Sequence, residues 1–205
     1  MSNRPSNGDA LPRQKPRLFL IAGAAVIAAL AVGQSFVSPD EKTMYRHLGK
    51  GDYLLSTTNG QPFTANTLID HPSAIFFGYT HCPDVCPTTM GDIAGWQQAL
   101  GAEVRDLQVY FVTVDPERDT LPIIRDYLSW NPSVLGATGD GVETAKALKA
   151  FGIVAQKTGE AGGDYLIDHS SSVLLFDRAG DYAGTIPYQA PDDQALARLR
   201  QVISD

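Results

Sequence analysis

Phe77-Gly78-Tyr79-Thr80-His81-Cys82-Pro83-Asp84-Val85-Cys86-Pro87-Thr88 holds both cysteines of this 205-residue chain, where an apolar run gives way to a helical pattern. Residues Ser73 to Tyr79 are short, aromatic and β-branched, and read as a buried strand. Pro83 and Pro87 both suit a first helical turn, where a missing N–H costs little. A helix from about Pro83 to Leu100 puts Cys82 at its mouth and Cys86 one turn further on, with both sulfurs on one side. Unsatisfied N–H groups and the positive end of the helix dipole favour an anion there, so a cysteine at that position tends towards a lowered pKa. Three fates stay open for the pair: an inert buried couple, a redox disulfide, or two ligands of a metal site.

Working outward, Tyr53 to Thr57 and Gln61 to Thr64 read as short strands joined by the turn Asn59-Gly60. Leu107 to Val114 is nearly all apolar, which suits a central parallel strand. A helix follows from about Leu121 to Trp130, with Pro122 in its first turn, and then a short strand from Ser133 to Ala137. Gly141 to Phe151 reads as a helix with Val142, Ala145, Leu148 and Phe151 turned inward. Strands at 152–157 and 164–167 pair around Gly159, Gly162 and Gly163, and strands at 172–176 and 182–186 around Asp177 to Gly180. Ala190 to Ile203 closes the chain as a helix, with Asp192 and Asp193 favourably placed in its first turn. The order βαβαβα followed by ββα predicts an α/β sandwich with a mixed central sheet.

Residues 1–17 are polar and net positive and read as a cytoplasmic tail. Residues 18–37 carry no charge, and about 20 residues suffice to cross a hydrocarbon core of roughly 30 Å. Arg13, Lys15 and Arg17 on one flank, with Asp40 and Glu41 on the other, orient this transmembrane anchor with its N-terminus inside. The alternatives are a cleaved signal peptide, with Ala31-Val32-Gly33 as the small-residue site, and a buried core helix. Residues 38–50 form a polar linker and 51–205 the folded domain, expected on the periplasmic side of the inner membrane. In a eukaryote that side would be the mitochondrial intermembrane space. The 43% apolar content supports a core for that domain, and a net charge of −7 with no basic run argues against a nucleic-acid partner. Two cysteines make no disulfide framework, but an exported pair must contend with oxidation.

Three motifs stand in order along the domain: Gly78-Tyr79-Thr80-His81-Cys82-Pro83-Asp84-Val85-Cys86-Pro87-Thr88, then Val112 to Thr120 (Val-Thr-Val-Asp-Pro-Glu-Arg-Asp-Thr), then Asp168-His169-Ser170. Together they resemble the signatures of the Sco/SenC family of copper chaperones, which share the thioredoxin-like fold and assist assembly of the copper centre of cytochrome c oxidase. The resemblance implies a thioredoxin-like copper-binding domain over about 51–205, with Cys82, Cys86 and His169 as metal ligands. Thiolates are soft and favour Cu(I), while an imidazole serves Cu(I) or Cu(II). Zinc is the other natural occupant of a Cys₂His set, but a structural zinc site normally closes with four protein ligands, and no fourth is obvious here.

Thioredoxin-like proteins carry a cis-proline in the loop facing the cysteine helix. Ser170-Ser171-Ser172 stands there instead, with His169 just ahead, which favours metal over disulfide substrates. The implied partners are the copper-site subunit of the oxidase, another copper chaperone as donor and a thioredoxin-like reductant. The implied role is a metallochaperone rather than an enzyme. The rival roles are a thiol-disulfide reductase working through Cys82 and Cys86, and a copper or redox sensor.

Around this set, Asp168 is a candidate to orient His169 or a solvated acid. Asp84 is either part of a partner-facing surface or a helix N-terminal acid. Asp115 opens a charged run at the C-terminal end of a central strand, where internal pairing would order the loop beside the site. The family pattern continues Thr-Pro where this chain has Thr120-Leu121-Pro122, a difference confined to the local loop. His81 reads as a surface residue, because neighbours along a chain rarely point at one ion. Met90 reads as core, and His47 and His71 as solvent-facing.

Overall fold

The computed structural model describes residues 44–159 and 165–205; the expected tail, the apolar span 18–37 and residues 38–43 of the linker lie outside these. Among the described residues no helix is long and apolar enough to cross a membrane. The elements in order are β1 (Leu55–Thr57), β2 (Pro62–Phe63), β3 (Ser73–Gly78), α1 (Val85–Leu100), β4 (Gln108–Thr113), α2 (Leu121–Tyr127) and β5 (Val134–Thr138). There follow α3 (Gly141–Ala150), β6 (Ala155–Thr158), β7 (Leu166–His169), β8 (Val173–Phe176), β9 (Tyr182–Ile186) and α4 (Asp192–Ser204).

Seven strands form one sheet in the order β2-β1-β5-β4-β3-β8-β9. β3, β4 and β5 run parallel at its centre, and the remaining pairs are antiparallel, so the sheet is mixed as the sequence predicts. β3 is buried along its whole length and β4 along all but its first residue, as befits strands covered on both faces. The pleat divides their side chains into two layers. Phe76 and Phe111 meet on one face, where Phe111 also touches Tyr127 of α2. On the other, Phe77 and Phe176 both meet Phe151, just past α3, and Tyr110 meets Phe63. The Trp96 indole of α1 donates to Asp192 of α4 at 2.9 Å and ties those two helices together.

Three expectations are corrected. The cysteine helix begins at Val85, so Pro83 lies outside it and only Pro87 occupies the first turn. In α3 the inward residues are Thr144 and Ala147, with Leu148 and Phe151 packed beside them, whereas Val142 is 65% exposed and Ala145 is exposed too. Among the described residues β6 and β7 pair only with each other, and their register, Ala155 opposite His169 and Thr158 opposite Leu166, sits about two residues later than expected. His169 is therefore the last residue of a strand, just ahead of the Ser170-Ser171-Ser172 segment.

Candidate metal centre

The chain reverses sharply between β3 and α1, where the Cys82 N–H donates to the Tyr79 carbonyl at 3.2 Å. Asp84 is the N-cap residue of α1, but its side chain makes no capping bond. The Cys82 sulfur does that work instead, accepting from the Cys86 N–H at 3.3 Å. Cys82 is half-buried, whereas Cys86 is completely buried against the end of β3. Gly78 makes this possible, because a Cβ there would stand 3.0 Å from the Cys86 sulfur and 2.9 Å from the Phe76 ring. Burial pushes the Cys86 thiol far up, because desolvation outweighs the Tyr79 backbone hydrogen bond that favours the thiolate, so the lowered pKa expected of a cysteine at the helix mouth does not extend to Cys86.

His169 arrives from the β6–β7 ribbon. Its Nδ1 lies 2.9 Å from the Ser170 carbonyl, which can only accept, so Nδ1 carries the proton and Nε2 keeps its lone pair. That Nε2 is 3.5 Å from the Cys86 sulfur. Phe76 and Tyr79 stand edge-on to the imidazole at centroid distances of 6.2 and 5.9 Å and fix its plane. Burial lowers the His169 pKa, so the ring is held in the neutral, ligating form.

The two sulfurs and the imidazole nitrogen all lie within 4.8 Å of one another, and among the described residues no other group of three or more His, Cys, Asp or Glu is placed to hold a metal. Bonds of about 2.3 Å to sulfur and about 2.0 Å to nitrogen would set such atoms roughly 3.5–4 Å apart, so a small inward movement suffices. The donor set of two soft sulfurs and one imidazole fits copper. A cleft of about 270 Å³ opens onto the set, with Cys82, Tyr79 and His169 in its wall and the exposed Asp84 and Asp168 beside them. A larger cleft of about 400 Å³, lined by His47, Lys50, Lys146 and Lys149, includes none of the trio.

Asp168 points to solvent, and the ring is oriented by the Ser170 carbonyl rather than by that acid. Asp115 is completely buried, pairs with Arg118 and accepts from the Tyr165 hydroxyl at 2.7 Å. The sequence reading did not single out Asp119, yet this buried carboxylate accepts from the Thr80 N–H at 3.0 Å and from the Thr80 and Thr113 hydroxyls at 2.6 Å each. It thereby holds the chain two residues ahead of Cys82. Its only signal in the sequence is its place in the charged run after a central strand. His81 is exposed and within 3.0 Å of the Thr80 hydroxyl, Met90 is fully buried, and His47 and His71 are exposed.

The SCO1/SenC family model matches residues 41–204. A Stutzerimonas stutzeri protein named for copper binding is 32% identical over 192 residues, 92% of this chain and 94% of its own length. Mitochondrial SCO2 of Saccharomyces cerevisiae is 29% identical over 157 residues, 75% of this chain; the chain spans about half of that relative, 52%. Among solved structures, Bradyrhizobium japonicum ScoI with copper bound is similar at a TM-score of 0.69 and 36% identity, over 76% of this chain and 99% of that one.

Proposed function

Since the chain belongs to the SCO1/SenC family, we propose that it is a membrane-anchored copper chaperone. Copper is its cargo, held by Cys82, Cys86 and His169 and delivered to the subunit of cytochrome c oxidase that carries the binuclear copper site. The observation that carries this reading is the convergence of two sulfurs and one neutral imidazole within 4.8 Å beside an open cleft. Binding Cu(I) displaces one proton from each thiol and none from the imidazole, whose Nε2 is already free. The buried Cys86 thiol resists ionisation until a cation takes the proton's place. Three protein ligands leave one side open to a partner, which suits a carrier better than a permanent four-ligand site.

The test is copper binding by the full chain in detergent, wild type against His169→Ala. Cu(II) affinity is expected to fall at least about 100-fold, since Cu(II) depends more on nitrogen, with a smaller loss for Cu(I) on the two soft sulfurs. Unchanged Cu(II) affinity would remove His169 from the site. One observation supports a second reading as a thiol-disulfide reductase: the pair is asymmetric, with Cys82 half-buried and open to attack and Cys86 buried behind it. In that case His169→Ala would leave disulfide exchange intact.

A further inference from the structure

The three ligating groups come from separate parts of the fold. Cys82 and Cys86 belong to the junction of β3 and α1, while His169 ends a two-stranded ribbon that, among the described residues, has no ladder with the seven-stranded sheet. The ribbon is therefore held by side chains and single backbone bonds. Tyr165, four residues before His169, receives several of them. Its ring lies 3.6 Å from the Arg118 guanidinium carbon and 4.5 Å from the Lys157 ammonium. Its carbonyl accepts from Arg118 Nη1 at 3.1 Å, and its hydroxyl donates to Asp115 at 2.7 Å. Arg118 is fixed in turn through Nε to the buried Asp115, and its guanidinium reaches to 5.7 Å from the Tyr79 ring. The Tyr79 hydroxyl accepts from the Ile167 N–H at 3.1 Å, two residues before His169.

One guanidinium thus joins the loop after β4, the ribbon and the ring that borders the imidazole. We infer that Arg118 is a positioning residue for His169: by clamping Tyr165 it keeps the histidine at the cysteines, and the ribbon is the separable part of the site. This rests on the reading of Cys82, Cys86 and His169 as one metal site. A planar fork can stack on a ring, pair with a carboxylate and donate to a carbonyl at once; an ammonium cannot. A loosened clamp leaves the two sulfurs in place and withdraws the nitrogen. The clamp therefore governs the histidine-dependent part of copper binding and not the thiolate part.

The test compares full-length wild type with Arg118→Gln, Arg118→Lys and His169→Ala, in detergent. In the metal-free protein, amide exchange at Ile167 and Ser170 should quicken by about 10-fold or more in Arg118→Gln, with exchange in β3 and β4 unchanged. Cu(II) affinity should fall about 10- to 100-fold, with loss of nitrogen coupling in the electron paramagnetic resonance spectrum, while Cu(I) affinity moves less than about threefold. Arg118→Lys should restore neither, and Arg118→Gln should add nothing to His169→Ala. Unchanged exchange at Ile167 and Ser170, exchange quickened throughout the domain, or additive losses in the double variant would each overturn the inference. If His169→Ala alone leaves Cu(II) affinity intact, the metal-site reading fails instead, and the exchange data still decide whether Arg118 holds the ribbon.

Discussion

Cys82 and Cys86 share a motif but not an environment. Cys86 is sealed under the end of β3, touching the space that Gly78 leaves empty, and its thiol is pushed up by desolvation. Cys82 lines the cleft, with its sulfur on the Cys86 N–H. Alkylation of the reduced, metal-free chain should therefore be stepwise, because attack needs both access and a thiolate. Cys82 is expected to react on the order of 10-fold faster than Cys86 or more, read by mass spectrometry of the labelled peptides over time. Equal rates would mean that Cys86 is neither as buried nor as hard to ionise as its surroundings require.

The elements show why parts of this fold could be read directly and others could not. β3 and β4 were legible because burial on both faces leaves an uninterrupted apolar run, and the run survives in the chain at 73–79 and 107–114. The inner face of α3 was not. Stepping by threes from Val142 drifts by about 60° a step, so Val142 and Phe151 end up half a turn apart and share no face. Counting back from Phe151 by three, four and seven gives Leu148, Ala147 and Thr144, the face that packs inward. Asp119 escaped notice for another reason: its partner Thr80 is 39 residues away, and only the tertiary fold brings them together. The trio itself was legible through its motifs, while the ring plane and tautomer of His169 depend on Phe76, Tyr79 and the Ser170 carbonyl.

Gly136 tests the packing of α2 on the sheet at the same scale. A Cβ there would fall 2.1 Å from Ile124 Cγ2 and 3.1 Å from Leu128 Cδ1. Gly136→Ala should cost about 1–3 kcal/mol through overpacking. A melting temperature lower by roughly 2–10 °C would report it. An unchanged melting temperature would mean that α2 shifts freely on β5.

At the scale of the whole molecule, the domain's chemistry depends on the compartment in which it works. A dithiol proposed to take up copper must be reduced to do so, and outside the cytoplasm it would meet oxidants, so the proposed export would make its redox state a condition for loading. The uncharged stretch 18–37, with Arg13, Lys15 and Arg17 before it and Asp40 and Glu41 after it, motivates a single span with the domain outside. Two measurements on the full chain in a bacterial host test that topology together. The chain should stay with the membrane pellet through a carbonate wash, and a phosphatase reporter that folds only after export should be active when fused after residue 45. Replacing Arg13, Lys15 and Arg17 with glutamate should lower that reporter activity, because the positive flank sets the orientation. Release by carbonate would point to a cleaved signal peptide, and a reporter active only in its cytoplasmic form would place the cysteines on the reducing side, where no separate reductant is required.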